Sequence, residues 1–115
     1  MISEVNEMVE TIQRERLKKR IDEREDFYLI EVLAPAQYDE GHIPGAINIP
    51  VNEIDESVKE RFKPDADIVV YCASKECQAS PKAAKRLEEL GFTSVKDFEG
   101  GKKDWTEAGY SLVKD

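Results

Sequence analysis

The chain has 115 residues, which suits one domain, and 40% of them are apolar, enough for one ordinary core. A formal net charge of −8 opposes binding to a phosphate backbone, and the charged fraction of 37% points to well-solvated helix faces. Two cysteines make no disulfide framework, and with a single histidine they could form a structural zinc site only by recruiting carboxylates. The start, Met1-Ile2-Ser3-Glu4-Val5-Asn6-Glu7, lacks the basic-then-apolar pattern of a secretory leader. No apolar stretch approaches the roughly 20 residues that span a bilayer. Two thiols without a framework suit a reducing compartment. The expectation is therefore a cytoplasmic protein that partners neither nucleic acid nor membrane.

Residues 3–25 are predicted helical in two pieces, with Val5, Met8, Val9 and Ile12, then Leu17 and Ile21, at helical spacing. The basic run from Arg14 to Arg20 is followed at once by Asp22, Glu23, Glu25 and Asp26, so it reads as a solvated helix face. Phe27–Leu33 reads as a strand stopped by Pro35, and Ala46–Ile49 as a short strand stopped by Pro50. A helix is predicted over 52–61, and a buried strand over Ile68–Cys72. The helix over 80–90 opens with Ser80-Pro81 as N-cap and first helical residue, buries Ala83, Ala84, Leu87 and Leu90, and ends at Gly91. Ser94–Phe98 is a strand, Gly100-Gly101 a turn, and a last short helix carries Trp105 and ends near Gly109. Alternating strands and helices predict an α/β fold with a central, mostly parallel sheet flanked by helices on both faces.

In such sheets ligands gather beyond the carboxyl ends of the strands, where Cys72 lies. Backbone N–H groups and the positive end of the following helix favour its thiolate, which is the form that reacts. A buried, inert cysteine is the commoner fate of a free thiol. Lys82, Lys85 and Arg86 crowd the first half of that helix and Glu88 and Glu89 the second, the reverse of what the helix dipole prefers. They reinforce an anion site or serve as ordinary surface charges, while Lys75, inside the loop, points to function. Ser74 can donate to an anion or shape the turn. Cys77 can close a small ring with Cys72 as a redox switch, serve as a second, resolving thiol that accepts sulfur, or stand by. Glu31 interrupts an apolar strand and needs partners, which makes it a brace for loops that accepts backbone N–H bonds, rather than an acid or base. His42, after a turn, reads as a structural residue.

Several segments, in order, resemble the rhodanese-like domain: Leu29-Ile30-Glu31-Val32, the long run from Tyr38 through His42-Ile43-Pro44-Gly45-Ala46 to Pro50, Val70-Tyr71-Cys72, Leu90-Gly91-Phe92, Gly100-Gly101, Trp105 and Ala108-Gly109-Tyr110. The likeness covers about residue 12 to residue 113. It implies a domain over 12–115 with residues 1–11 as an added N-terminal helical extension. It also implies a sulfurtransferase with Cys72 as nucleophile. Attack on the sulfane sulfur of thiosulfate, a polysulfide or a persulfide would leave a Cys72 persulfide, which a thiol (a protein thiol included) or cyanide would discharge. The loop Ala73, Ser74, Lys75, Glu76, Cys77 and Gln78 would cradle the persulfide and the departing anion with backbone N–H groups. No metal or organic cofactor is implied.

The sequence departs from the family where Glu31 replaces Asp, Leu33 and Ala73 replace Arg, and Cys77 replaces a basic or hydroxyl residue, in a loop that is also longer. Those departures leave a non-catalytic rhodanese-like binding or regulatory module as the alternative, beside a Cys72/Cys77 redox switch. A cysteine phosphatase or arsenate reductase would need an arginine closing the loop, and Arg86 lies well down the helix.

Overall fold

The computed structural model describes residues 9–114. Five strands form one sheet: β1 (Glu10–Thr11), β2 (Tyr28–Glu31), β3 (Ile47–Asn48), β4 (Asp67–Tyr71) and β5 (Ser94–Phe98). Their order across the sheet is β1-β5-β4-β2-β3 and every pairing is parallel. Among the described residues four α-helices connect or flank them: α1 (Arg14–Asp22), α2 (Pro35–Glu40), α3 (Ala79–Glu89) and α4 (Gly101–Glu107).

β4 lies at the centre because its residues are apolar on both faces, as a sheet covered on both sides requires. With period two, Ile68, Val70 and Cys72 enter one cluster, where Ala83, Ala84 and Leu87 of α3 and Ile54 and Val58 pack against them. Val69 and Tyr71 enter the other, with Leu17 of α1 and Trp105 of α4. All five of these β4 and loop-start side chains are 0% exposed. A buried Val or Ile side chain contributes about 1.5–3 kcal/mol, so the strand that delivers Cys72 is firmly held. The α/β architecture with a parallel sheet and helices on both faces is as expected.

Four local expectations are corrected. At Glu10 and Thr11 the helical spacing gives way to a strand that pairs in parallel with Lys96 and Asp97, so the sheet begins inside the segment read as an extension. The remainder of that extension, residues 1–8, lies outside the described residues. Pro35 does more than stop a strand, because it opens α2 at a helix N-terminal position that has no need of its missing N–H. The helix over 52–61 is two 3₁₀ turns, Val51–Glu53 and Glu56–Glu60; the Asp55 carboxylate accepts the Ser57 N–H at 2.9 Å and starts the second turn afresh. α3 begins at Ala79 with Gln78 as its N-cap, so Ser80 and Pro81 sit within the first turn and Leu90 caps the end half-buried.

The basic run on α1 is also not simply solvated. Arg20 is buried, pairs with Glu25 at 3.0 Å and with Asp67 at the start of β4, and lies over the Phe27 ring at 4.2 Å. Arg14 reaches Asp104 of α4 at 2.8 Å. Among the described residues no helix is long and apolar enough to cross a membrane.

Candidate active site

Cys72 follows the last residue of β4 and starts the loop that runs to α3. Two backbone bonds from α4 fix this end of the loop: the Lys102 N–H donates to the Cys72 carbonyl at 3.0 Å and the Lys103 N–H to the Ala73 carbonyl at 2.9 Å. These are donors of the first helical turn, which have no partner within their own helix. The approach is close enough to require glycine at Gly101. Its φ is +64°, and a Cβ there would stand 2.8 Å from the Ser74 nitrogen and against the Cys72 carbonyl. Farther along, the Cys77 N–H donates to the Ser74 carbonyl at 3.0 Å, a turn that folds the loop back on itself. The Cys77 side chain is half-buried against the same cluster as Cys72, and the two sulfurs are joined as a disulfide across a Cα–Cα distance of 6.4 Å.

The strand ends beside the loop are braced by a buried polar network. Glu31 is 0% exposed; its Oε1 accepts the Tyr71 hydroxyl at 2.8 Å, and its Oε2 pairs with the Lys102 ammonium at 2.9 Å. The Tyr71 oxygen in turn accepts the Ile43 N–H at 3.1 Å. Burial first, then the Glu31 charge, drives the Tyr71 hydroxyl far above its ordinary value, so it stays a hydrogen-bond donor. Lys102 also donates to the Gln37 carbonyl at 2.7 Å. Glu31 therefore braces through side chains where the sequence predicts backbone N–H partners. His42 is structural as expected: it is buried, stacks on Tyr38 at 3.9 Å, and bridges to Val113.

The charges near the loop are mixed. Lys75, Glu76, Lys103, Asp104 and Glu107 line a hollow of about 230 Å³ together with Gly100, and its acids outnumber its lysines. The Glu76 carboxyl is held below its usual range by its own backbone N–H and by Ser74, with Lys103 and Lys75 adding to the effect. Lys82, Lys85 and Arg86 line a separate groove beside Val51 and Asn52, where Arg86 donates to the Ile54 carbonyl at 3.0 Å. Arg86 is thus a tie between α3 and the 3₁₀ segment, and the basic half of α3 is not gathered over Cys72. Ser80 caps nothing: it is buried beside Asp97 of β5, whose carboxyl burial pushes up to about 6, with Ser80 opposing. The sequence reading missed Asp97 and the backbone donors of Lys102 and Lys103. Gly100-Gly101 was the one visible sign of the latter. Among the described residues no group of His, Cys, Asp and Glu is placed to hold a metal ion.

A thiol at this junction, on a loop clasped by a second helix, matches a known architecture. The family model of the rhodanese-like domain matches residues 13–108. The chain belongs to this family. A sulfurtransferase of Allochromatium vinosum is 33% identical over 106 residues, which covers 92% of this chain and 96% of that protein. The HTH-type transcriptional regulator Rv0324 of Mycobacterium tuberculosis is 37% identical over 95 residues, 83% of this chain and 40% of the regulator, so this rhodanese-like domain spans less than half of that relative's length. The crystal structure of the BH2092 protein from Bacillus halodurans superimposes with a TM-score of 0.86 at 29% identity, covering 96% of this chain and 80% of that one.

Proposed function

We propose that the chain is a cytoplasmic sulfurtransferase that carries sulfane sulfur as a Cys72 persulfide. The observation that carries this is the position of Cys72: it stands at the carboxyl end of the central strand, at the start of a loop whose carbonyls are held by the α4 N–H groups. Holding those carbonyls fixes the start of the loop on which the Cys72 sulfur sits. In the first half-reaction the Cys72 thiolate attacks the outer sulfur of the donor. The donor's S–S bond breaks, and its remainder leaves with the electron pair, as sulfite from thiosulfate or as a thiolate from an alkyl persulfide. In the second, a thiolate or cyanide takes the terminal sulfur and restores the Cys72 thiolate.

The test begins with reduced protein, since the disulfide occupies the nucleophile. Incubation with thiosulfate or polysulfide is expected to add the mass of one sulfur atom to the native chain and none to Cys72→Ser. A native chain left unmodified by both donors overturns the proposal. The regulator among the relatives supports a second reading, a rhodanese-like module that governs a partner; it gains if Cys72 takes no sulfur.

A further inference from the structure

Cys77 stands where a family member carries a basic or hydroxyl residue, and the sulfur-transfer reading gives it nothing to do. Its placement is nonetheless built. The Cys77 N–H to Ser74 carbonyl bond turns the loop back, the α4 donors hold the Cys72 end, and α3 begins two residues beyond Cys77. The Cα–Cα distance of 6.4 Å falls within the range of about 4.4–6.8 Å that bridged cysteines adopt. The contact is with the Cys72 Sγ itself, which becomes the inner sulfur of a persulfide. A thiol placed to accept the outer sulfur would stand one atom farther away.

From this we infer that Cys77 resolves the Cys72 persulfide and that the chain releases its cargo as hydrogen sulfide. The inference rests on the Cys72 persulfide proposed above. The Cys77 thiolate attacks Cys72 Sγ, the bond between Sγ and the outer sulfur breaks, and the outer sulfur leaves as HS⁻ with the electron pair. The sulfane sulfur is thereby reduced to sulfide and the two thiols are oxidised to the Cys72–Cys77 disulfide. A dithiol reductant, such as a protein with two neighbouring thiols, returns the two electrons. Cys72 is 0% exposed whereas Cys77 is half-buried, so the reductant reaches the Cys77 sulfur. That attack expels the Cys72 thiolate, the form needed for the next donor, and the reductant's second thiol then frees Cys77. Sulfane sulfur is thus the electron acceptor and the dithiol the electron donor of a persulfide reductase.

The full chain is reduced, freed of reductant without oxygen, and given one equivalent of glutathione persulfide. Intact mass after thiol alkylation and released sulfide are then read. The native chain is expected to release one sulfide and to end two hydrogens lighter, with neither cysteine alkylated and Cys72 linked to Cys77. Cys77→Ser is expected to keep one added sulfur on Cys72 and to lose sulfide release. The inference is overturned, with sulfur transfer left standing, if the native chain retains the sulfur as long as Cys77→Ser does, or carries it on Cys77. A glutathione adduct on Cys77→Ser in place of the added sulfur also overturns it, because the disulfide would then arise without a persulfide. If neither form takes sulfur or releases sulfide, the Cys72 persulfide falls and this inference with it.

Discussion

Gly101 occupies the left-handed region, and the place of its missing Cβ is taken by the start of the Cys72 loop, with the Ser74 nitrogen 2.8 Å away. Gly45 offers a matched comparison. It also has a positive φ, of +88°, but nothing lies within 4 Å of its Cβ position. Alanine at either site costs about 1–2 kcal/mol of backbone strain. Only Gly101→Ala must also push the Cys72 loop away from α4, breaking the Lys102 and Lys103 bonds. Both variants are expected to lower the urea midpoint. Gly101→Ala alone is expected to slow sulfur loading of Cys72, by at least about tenfold, because small misplacements of a reacting group are costly. Equal loading rates in the two variants would show that the clasp does not position the nucleophile. At this scale Cys72 was legible because its signal is local: an apolar strand, a thiol, a polar loop and a helix start lie in one run of sequence. The clasp was not, because its donors lie far along the chain and act through the backbone, which leaves no trace but a glycine pair.

Between β5 and α3 the buried carboxyl of Asp97 carries a pH dependence. Burial raises the Asp97 carboxyl from its ordinary 3.8 to about 6, so the folded chain holds this proton more tightly than the unfolded chain does. The associated stability is therefore fully present below about pH 4 and is lost as the pH rises through about 6. Asp97→Asn keeps the shape and removes the charge. It is expected to raise unfolding free energy by about 1–2 kcal/mol near neutral pH and to change little near pH 4. Urea titrations across that interval check it, and a pH-independent difference would sink the argument. Element prediction failed for related reasons of context. Ser80 matches an N-cap by type, yet the helix starts one residue earlier at Ala79, and the hydroxyl is buried within the first turn instead. Val9 and Ile12 repeat at helical spacing, but a free edge beside β5 makes Glu10–Thr11 a strand. The long, strongly patterned pieces, β4, α3 and β5, were legible because their apolar periods match the faces they bury.

Across the whole molecule, the length of the sheet separates the buried Arg20 cluster from Cys72, the proposed nucleophile. Cys72 lies beyond one end of β4, and Asp67 begins the other. At the Asp67 end, Arg20 from α1 is buried with only 7% of its side chain exposed, and it joins the carboxylates of Glu25 and Asp67. Those two partners are each about one-third exposed, at 32% and 33%, so water relieves part of the cost when the arginine is removed. Arg20→Met should fill much of the same space and leave the carboxylates without their cation, at a cost of about 2–3 kcal/mol. Arg20→Lys keeps the charge but loses the planar fork that serves two acids at once, and its loss should be smaller. Because the whole length of β4 separates this cluster from Cys72, neither variant is expected to change the rate at which the folded chain takes up sulfur. Unfolding in urea and persulfide formation at a temperature where both variants remain folded measure the two properties separately. A slowed Cys72 in Arg20→Met would mean that the two ends of the strand are coupled through the sheet.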